Sequence, residues 1–201
     1  LYPIEEDGLG TYILNSKDMN MIRRIPDLLD AGISSLKIEG RMKTVFYVGT
    51  IVNAYRMALD AALHGLPFDE EWFQETEKLR HRPYCTGFYF SEEEKGGRET
   101  QWENANPQSH DFVGVVLGKD AEGRVHVEQR NRFFAGDVLE CLSPGKVGRP
   151  FRVAFIYDEG GQPQDSAPHP QQRLWLEVDG LAANGFEAGD LLRKEREEGL
   201  L

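Results

Sequence analysis

Cysteine is nearly missing from this sequence. Its 201 residues hold two, Cys85 and Cys141. Their separation fits neither a metal-binding pair nor a disulfide framework, and so little cysteine fits a reducing cytoplasm. A free cysteine is most often a small packed side chain. Long apolar runs are missing too. None approaches the roughly 18 residues that a membrane helix needs, and no signal peptide is recognisable, so no membrane partner is expected. Common enzyme signatures are also absent: no G-x-S-x-G elbow, no H-E-x-x-H zinc helix, no P-loop and no dinucleotide fingerprint. The five histidines are scattered. A Cys85–His81 pair at a helix end would be a nucleophile beside a base, but both residues also fit a packed junction. The run Glu5-Glu6-Asp7 reads as a solvated face in preference to a metal cluster. There is no initiator methionine ahead of Leu1-Tyr2-Pro3, which reads as part of a longer protein.

Positive charge is in short supply. Lys and Arg number 23 against 34 Asp and Glu, for a net charge of −11. That argues against a nonspecific nucleic-acid clamp, which draws its affinity from many phosphate contacts. The deficit is uneven: residues 1–66 are close to neutral, and the remainder carries nearly all of it. A local basic site around Arg23, Arg24, Arg41 and Lys43 therefore has room to exist. The hydrophobic fraction of 40% and charged fraction of 28% belong to a globular chain.

What is present centres on Ser34-Ser35-Leu36-Lys37-Ile38-Glu39-Gly40-Arg41-Met42-Lys43. On a strand, Leu36 and Ile38 face one way and Lys37 and Glu39 the other. Val45, Val48, Val52, Tyr55, Leu59 and Ala62 then recur at helical spacing. The pattern predicts a strand, a charged loop and a long helix to about His64. An earlier unit holds the β-prone Thr11–Leu14, an N-cap at Ser16 or Asp18, and a helix carrying Met19, Ile22 and Ile25. That helix kinks or restarts at Pro26 and stops at Gly32. Residues 1–66 thus read as two βα units closing a larger α/β domain, because two such units make no stable parallel sheet alone. Residues 67–109 read as a bridge. It comprises a helix within Asp69–Arg82 that buries Trp72, Phe73 and Leu79, an aromatic-rich run at 83–90, and a charged linker from Ser91 to Gln108.

Residues 110–201 change to period two. Strands are predicted at Phe112–Leu117, Arg124–Gln129, Val138–Cys141, Phe151–Tyr157, Leu174–Val178 and Leu191–Arg193, with a turn at Asp120–Gly123. Six short strands with few helical stretches predict a small closed barrel, since closure removes exposed edges. The barrel carries an internal repeat, F-x-A-G-D-x-L, at Phe133–Leu139 and Phe186–Leu192. Its Gly permits a tight turn and its Asp can bond back to the turn backbone.

In βα architectures the loop after a strand lies where active sites gather. Two adjacent strands would bring Lys17, Asp18, Lys37, Glu39 and Arg41 to one mouth, with Ser16 and Lys43 beside them. Ionised groups are costly to bury, so Lys37 and Glu39 need each other or a ligand. An N-cap with a salt-bridge network accounts for this cluster structurally. A site for an anionic carboxylate or phosphate accounts for it functionally. His169, between Pro168 and Pro170, reads either as a rigid turn or as a contact to substrate or a neighbouring domain.

These residues carry a resemblance. The runs Gly10–Asp18, Asp30–Gly32, Ser35–Lys43 and Tyr55–Asp60 resemble peptidase family U32, the collagenase-like proteins. Val127–Phe133 and Ala167–Gln172 resemble that family's accessory β-barrel. The resemblance implies a TIM-like barrel of which residues 1–66 would be the last two βα units. It further implies that the six-stranded barrel is like the second domain of translation elongation factors. Many relatives hold a cysteine-bound iron–sulfur cluster, with ligands in a segment upstream of residue 1. One further ligand in some members falls near Asn20, so this stretch is expected to hold no cluster itself. Relatives are either peptidases acting on collagen-like protein, or enzymes that hydroxylate an RNA base. The base is a tRNA anticodon uridine, with prephenate implicated, or a ribosomal cytidine. No nucleophile–base pair stands out, so the residues favour RNA. Lys37, Glu39 and Arg41 are then expected as catalytic residues, with Ser16, Lys17, Asp18, Lys43 and His169 binding substrate. Activity would need the longer parent. On its own the stretch would be catalytically silent or a non-catalytic docking module, prone to self-associate through an open barrel flank.

Overall fold

A computed structural model of the chain describes residues 4–7, 10–13, 17–90 and 108–196. Ser16 and most of the charged stretch after Phe90 lie outside the described residues. The chain starts with a hairpin, β1 (Ile4–Asp7) and β2 (Gly10–Ile13), paired antiparallel with Ile4 opposite Ile13. The β-prone run near Thr11 is therefore a strand, but it returns along its neighbour and does not open a βα unit.

Beyond it, β3 (Asp18–Met19) lies where a helix start was expected. A 3₁₀ turn at Ile22–Arg24 leads into α1 (Ile25–Asp30), with Pro26 in the first turn, where its missing N–H costs nothing. Gly32, at φ 77°, ends α1 as predicted. Residues 33–40 form no helix or strand, and no strand pairs with them among the described residues. The alternation around Lys37 is that of a strand, but a ladder needs a neighbour to take its N–H and C=O groups.

The long helix α2 (Val45–Leu63) forms where expected, and Thr44 caps it by accepting the Tyr47 N–H at 3.2 Å. Its buried face is not the valine stripe. Phe46, Thr50, Ile51, Ala54, Ala58 and Ala61 face inward, while Val45 is 72% and Val52 45% exposed. The helix is apolar on two sides, and the small side chains win because they let α1 and the next helix approach closely. That next helix, α3 (Glu70–Glu77), is capped by Asp69. Ile22, Ile25, Ala54 and Ala58 form the centre of this cluster, with Trp72 and Phe73 packed on it. The short β4 (Tyr84–Cys85) then pairs parallel with β3, Asp18 opposite Tyr84.

The second part is all β. Its strands are β5 (His110–Lys119), β6 (Val125–Gln129), β7 (Val138–Leu142), β8 (Arg149–Asp158), β9 (Pro163–Gln164), β10 (Arg173–Asp179) and β11 (Leu191–Glu195). The order is β10-β6-β5-β11-β7-β8, and pairing of β10 with β8 closes the expected six-stranded barrel; β9 is appended to β8. Alternate residues such as Val125, Val127, Leu174 and Leu176 fill the interior.

The two repeat copies are superposable in their bonding. Gly136, at φ 91°, and Gly189, at φ 97°, turn the chain. Asp137 Oδ2 accepts the Phe134 N–H at 2.8 Å, and Asp190 Oδ2 accepts the Glu187 N–H at 2.9 Å. Phe133 and Phe186 are both buried.

The helical part is bolted to the barrel. Phe46 stacks on Phe112 at 5.4 Å. Asn53 donates to the Lys146 carbonyl at 2.8 Å and accepts the Gly145 N–H at 2.7 Å. Arg193 of β11 is fully buried and donates to Glu75 of α3 and Glu140 of β7, each at 2.7 Å.

Candidate functional site

A cleft of about 610 Å³ opens between residues 33–39, β3 and the middle of α2. One wall is the 33–39 segment itself. Ile38 is half-buried against Phe46, Ile51 and Leu79, which leaves Lys37 and Glu39 turned outward. Their side chains are 85% and 70% exposed and meet at 3.6 Å. Glu39 also accepts the Arg41 backbone N–H at 3.1 Å. That bond first, and the Lys37 charge second, hold its carboxyl below the usual range.

The expected mouth is only partly assembled. Asp18, Lys37, Glu39 and Lys43 line the cleft, while Arg41 does not. Arg41 is exposed and contributes its backbone N–H to Glu39. Asp18 is half-buried and accepts the Arg82 N–H at 3.1 Å, and Lys17 precedes it along the same strand edge. His169 is elsewhere. It sits exposed on the loop before β10, which is tied down by Gln171 N–H to Gln129 O at 2.9 Å and Gln172 N–H to His169 O at 3.1 Å. A turn closed onto β6 explains its flanking prolines, and it contributes nothing to the cleft.

Sequence reasoning missed the aromatic lining. Tyr47 and Tyr55 come from α2, Tyr84 from β4, and Tyr89 from the run after it. The aromatic-rich stretch at 83–90 and the spacing of Tyr47 and Tyr55, two turns apart on α2, were the available signal. Tyr55 is the hub. Its hydroxyl accepts the Met21 N–H at 2.8 Å and donates to Asn20 Oδ1 at 3.0 Å. Burial pushes this phenol up to about 12. Burial raises Tyr84 as well, and burial with the Asp18 charge raises Tyr47. All three stay protonated at neutral pH, so they offer faces and donors and not bases. Tyr84 also stacks flat on His81 at 3.9 Å.

Asn20 is committed to structure. Its Oδ1 takes the Tyr55 hydroxyl and the Ile22 N–H at 3.1 Å, and its Nδ2 donates to Thr76 Oγ1 at 3.1 Å. Cys85 is half-buried on β4, and Cys141 is buried in the barrel. An iron–sulfur cluster needs several converging thiolates, and two cysteines in separate parts of the fold do not fit one. Among the described residues no three His, Cys, Asp or Glu side chains converge as metal ligands. The Cys85–His81 pair does not form a dyad either. His81 lies 2.7 Å from the Arg82 carbonyl through Nδ1 and packs on Tyr84. Among the described residues no helix is long and apolar enough to cross a membrane.

Known proteins share this sequence. tRNA hydroxylation protein P1 of Bacillus subtilis (strain 168) is 36% identical over 181 residues, covering 87% of this chain and 42% of that protein. A protein named Collagenase from Porphyromonas gingivalis is 31% identical over 127 residues, 59% of this chain and 34% of that one. The chain thus spans less than half the length of the curated relatives it matches. Among solved structures, the selenomethionine form of the C-terminal domain of what is described as a U32 peptidase from Geobacillus thermoleovorans is 34% identical. It covers 42% of this chain and 99% of that domain, with a TM-score of 0.37. The sequence profile of peptidase family U32 matches residues 3–99, and that of the peptidase family U32 C-terminal domain matches residues 108–193. Matched by these two profiles in succession over most of its length, the chain belongs to peptidase family U32.

Proposed function

We propose that this chain is part of an enzyme that hydroxylates a base in tRNA, and that the cleft receives the base. The observation that carries the reading is the combination of tyrosine faces with Lys37 and Lys43 in one cleft of an otherwise acidic chain. An enzyme acting on a base must take it out of its stack, and aromatic side chains replace the lost stacking. Lys37 and Lys43 hold anionic oxygen. Glu39 fixes Lys37, and the Arg41 N–H fixes Glu39. Hydroxylation replaces a ring C–H by C–OH and consumes an oxidant; these residues bind and orient the base for that step. The name of the Bacillus relative points the same way. A cytoplasmic location belongs to this reading. So does self-association through Val45, Val52 and Leu63, which are exposed on α2; a scattering profile that stays monomeric at high concentration would count against that part.

The test is nucleoside mass spectrometry on tRNA and rRNA from cells lacking the full-length gene, and from the same cells given wild-type or Lys37→Ala protein. The expected outcome is a hydroxylated base that vanishes, returns with wild type and stays low with Lys37→Ala. An unchanged nucleoside profile would overturn the reading.

A peptidase reading has one geometric point in its favour besides the Collagenase relative. Ser109 Oγ lies 2.9 Å from His110 Nδ1, and His110 Nε2 lies 3.8 Å from Glu140. This cluster lies outside the cleft, and Glu140 is already engaged by Arg193 and Lys78. Gelatin cleavage by purified full-length protein, abolished by Ser109→Ala, would favour it.

A further inference from the structure

Two carboxylates line the cleft, Asp18 and Glu39. Glu39 meets Lys37 at 3.6 Å. Asp18 has no Lys or Arg nitrogen within ion-pair distance among the described residues. We propose that Asp18 positions the substrate base: its free oxygen accepts an N–H on the Watson–Crick edge, and the Tyr47 hydroxyl takes the neighbouring place on that edge. The proposal rests on the RNA reading above and deepens it, from a cleft that stacks a base to one that fixes how the base is turned.

The Asp18 carboxylate is half used. Its Oδ2 accepts the Arg82 backbone N–H at 3.1 Å, and its Oδ1 has no partner among the described residues. Several other acids withdrawn from solvent hold a cation: Asp120 meets Arg124 at 2.7 Å, and Asp137 meets Lys194 at 2.8 Å. A carboxylate short of donors is unfavourable away from water, and a donor on the substrate removes that penalty. The setting sharpens the point. Lys37 and Lys43 in the same cleft favour an anionic strand, and a carboxylate beside them opposes one. An acid kept there needs a donor on the ligand. Bases carry such donors, and phosphodiesters do not.

Tyr47 supplies the second contact. The Tyr55 hydroxyl is engaged by Met21 and Asn20, and Tyr84 donates to the Thr76 carbonyl at 3.0 Å. The hydroxyl of the half-buried Tyr47 has no partner among the described residues. After burial, the Asp18 charge is the cause that raises this phenol, so the two groups are neighbours and the hydroxyl keeps its proton to donate. Neither Asp18 Oδ1 nor the Tyr47 hydroxyl is sealed from solvent. An acceptor beside a donor matches an N–H beside an acceptor, the pair that the Watson–Crick edge of an unmodified base presents.

Such a pair does what stacking cannot. A ring held only by its faces is free to turn in its own plane, and a wrong turn offers the wrong carbon to the oxidant. Two hydrogen bonds on one edge stop that rotation and leave the opposite edge open for the reaction. The Watson–Crick edge must then be unpaired, so the substrate is a single-stranded or extruded nucleotide.

The test uses full-length protein and the variant Asp18→Asn. The Asn carbonyl still accepts the Arg82 N–H, so the melting temperature should hold, while its amide sets N–H against N–H. Binding is titrated to short single-stranded RNAs whose central base is uridine or cytidine, intact or with the edge N–H replaced by methyl (N3-methyluridine, N4,N4-dimethylcytidine). Wild type should bind an intact RNA about tenfold tighter than its methylated form, and Asp18→Asn should bind the two alike. Tyr47→Phe, which keeps the ring, should weaken the intact RNA about fivefold; unchanged affinity there removes Tyr47 from the proposal. The wild-type comparison needs no variant: binding indifferent to methylation in both bases overturns the edge contact. The nucleoside assay above, run with Asp18→Asn, separates the two readings. A hydroxylated base restored by Asp18→Asn as fully as by wild type overturns the positioning role and leaves the RNA reading standing. A nucleoside profile unchanged by loss of the gene overturns both.

Discussion

The hydroxyl of Tyr55 joins α2 to the chain between β3 and α1. It accepts the Met21 N–H and donates to Asn20, whose amide in turn reaches Thr76 of α3. Three pieces of the chain, two of which wall the cleft, therefore depend on one oxygen. Tyr55→Phe leaves the Met21 N–H without its acceptor, at a cost of about 1–3 kcal/mol. The expected outcome is a lower urea midpoint with an unchanged slope and, on the proposed reading, a larger drop in base hydroxylation by the full-length protein than the stability loss alone predicts. Equal stability in Tyr55→Phe would show that water replaces the hydroxyl. None of this was legible from pattern. Tyr55 sits on the apolar stripe of α2 and reads as core, and Asn20 reads as an ordinary polar residue. Lys37 and Glu39 were legible because adjacent opposite charges in an apolar run require a reason.

At the scale of elements, the barrel was legible and the helical face was not. Period two survives in short strands, because each inward residue is buried on its own account. A helix such as α2, apolar on two sides, has no such constraint. Its Ala-rich side packs inward while Val45 and Val52 point out. The repeated turns were legible because their chemistry is local. They differ in one respect that predicts different costs. Asp137 caps its turn near the surface and pairs with Lys194 at 2.8 Å. Asp190 is buried, and it also takes the Ser143 hydroxyl at 2.7 Å, which Arg149 donates to in turn at 2.7 Å. Asp137→Ala should cost about 1 kcal/mol, since a surface pair adds little. Asp190→Ala should cost about 2–3 kcal/mol, because buried donors lose their acceptor. Chemical unfolding of the two variants gives the comparison; equal costs would mean that the Ser143–Arg149 chain re-forms around the gap.

On the scale of the whole molecule, the joint between the two parts depends on a buried ion cluster that no sequence window could display. Arg193 and Glu75 lie 118 residues apart and meet at 2.7 Å. Lys78 adds contacts to Glu75 at 2.9 Å and Glu140 at 3.1 Å. A methyl group at Gly148 would collide with the Arg193 guanidinium and the Glu140 carboxylate, so the barrel turn there must leave the cluster room. Burial alone would raise the Glu75 and Glu140 carboxyls, but their hydrogen-bonding and ion-pair partners outweigh it. For Glu75 these are Arg193 and Lys78, for Glu140 they are His110, Arg193 and Lys78, and both carboxyls are held below their usual range. A carboxyl depressed in the folded state stabilises fully above its unfolded pKa, about 4.3. That contribution drains away as pH falls below this value towards the folded pKa. Wild type should therefore lose stability steeply on acidification below about pH 4. Arg193→Met removes the shared cation and strands two partly buried carboxylates, at a cost of about 3–5 kcal/mol near neutral pH. Because those carboxylates then prefer to be neutral, the variant should recover part of the loss as the pH is lowered to about 5, where wild type gains nothing. The triple replacement Arg193→Met, Glu75→Leu, Glu140→Leu should restore much of the loss at neutral pH and flatten the acid limb, since an apolar joint of similar volume needs no charge balance. Thermal melts between acid and neutral pH for the three proteins test this. Parallel pH profiles for wild type and Arg193→Met would mean that the cluster is not what ties the helices to the barrel.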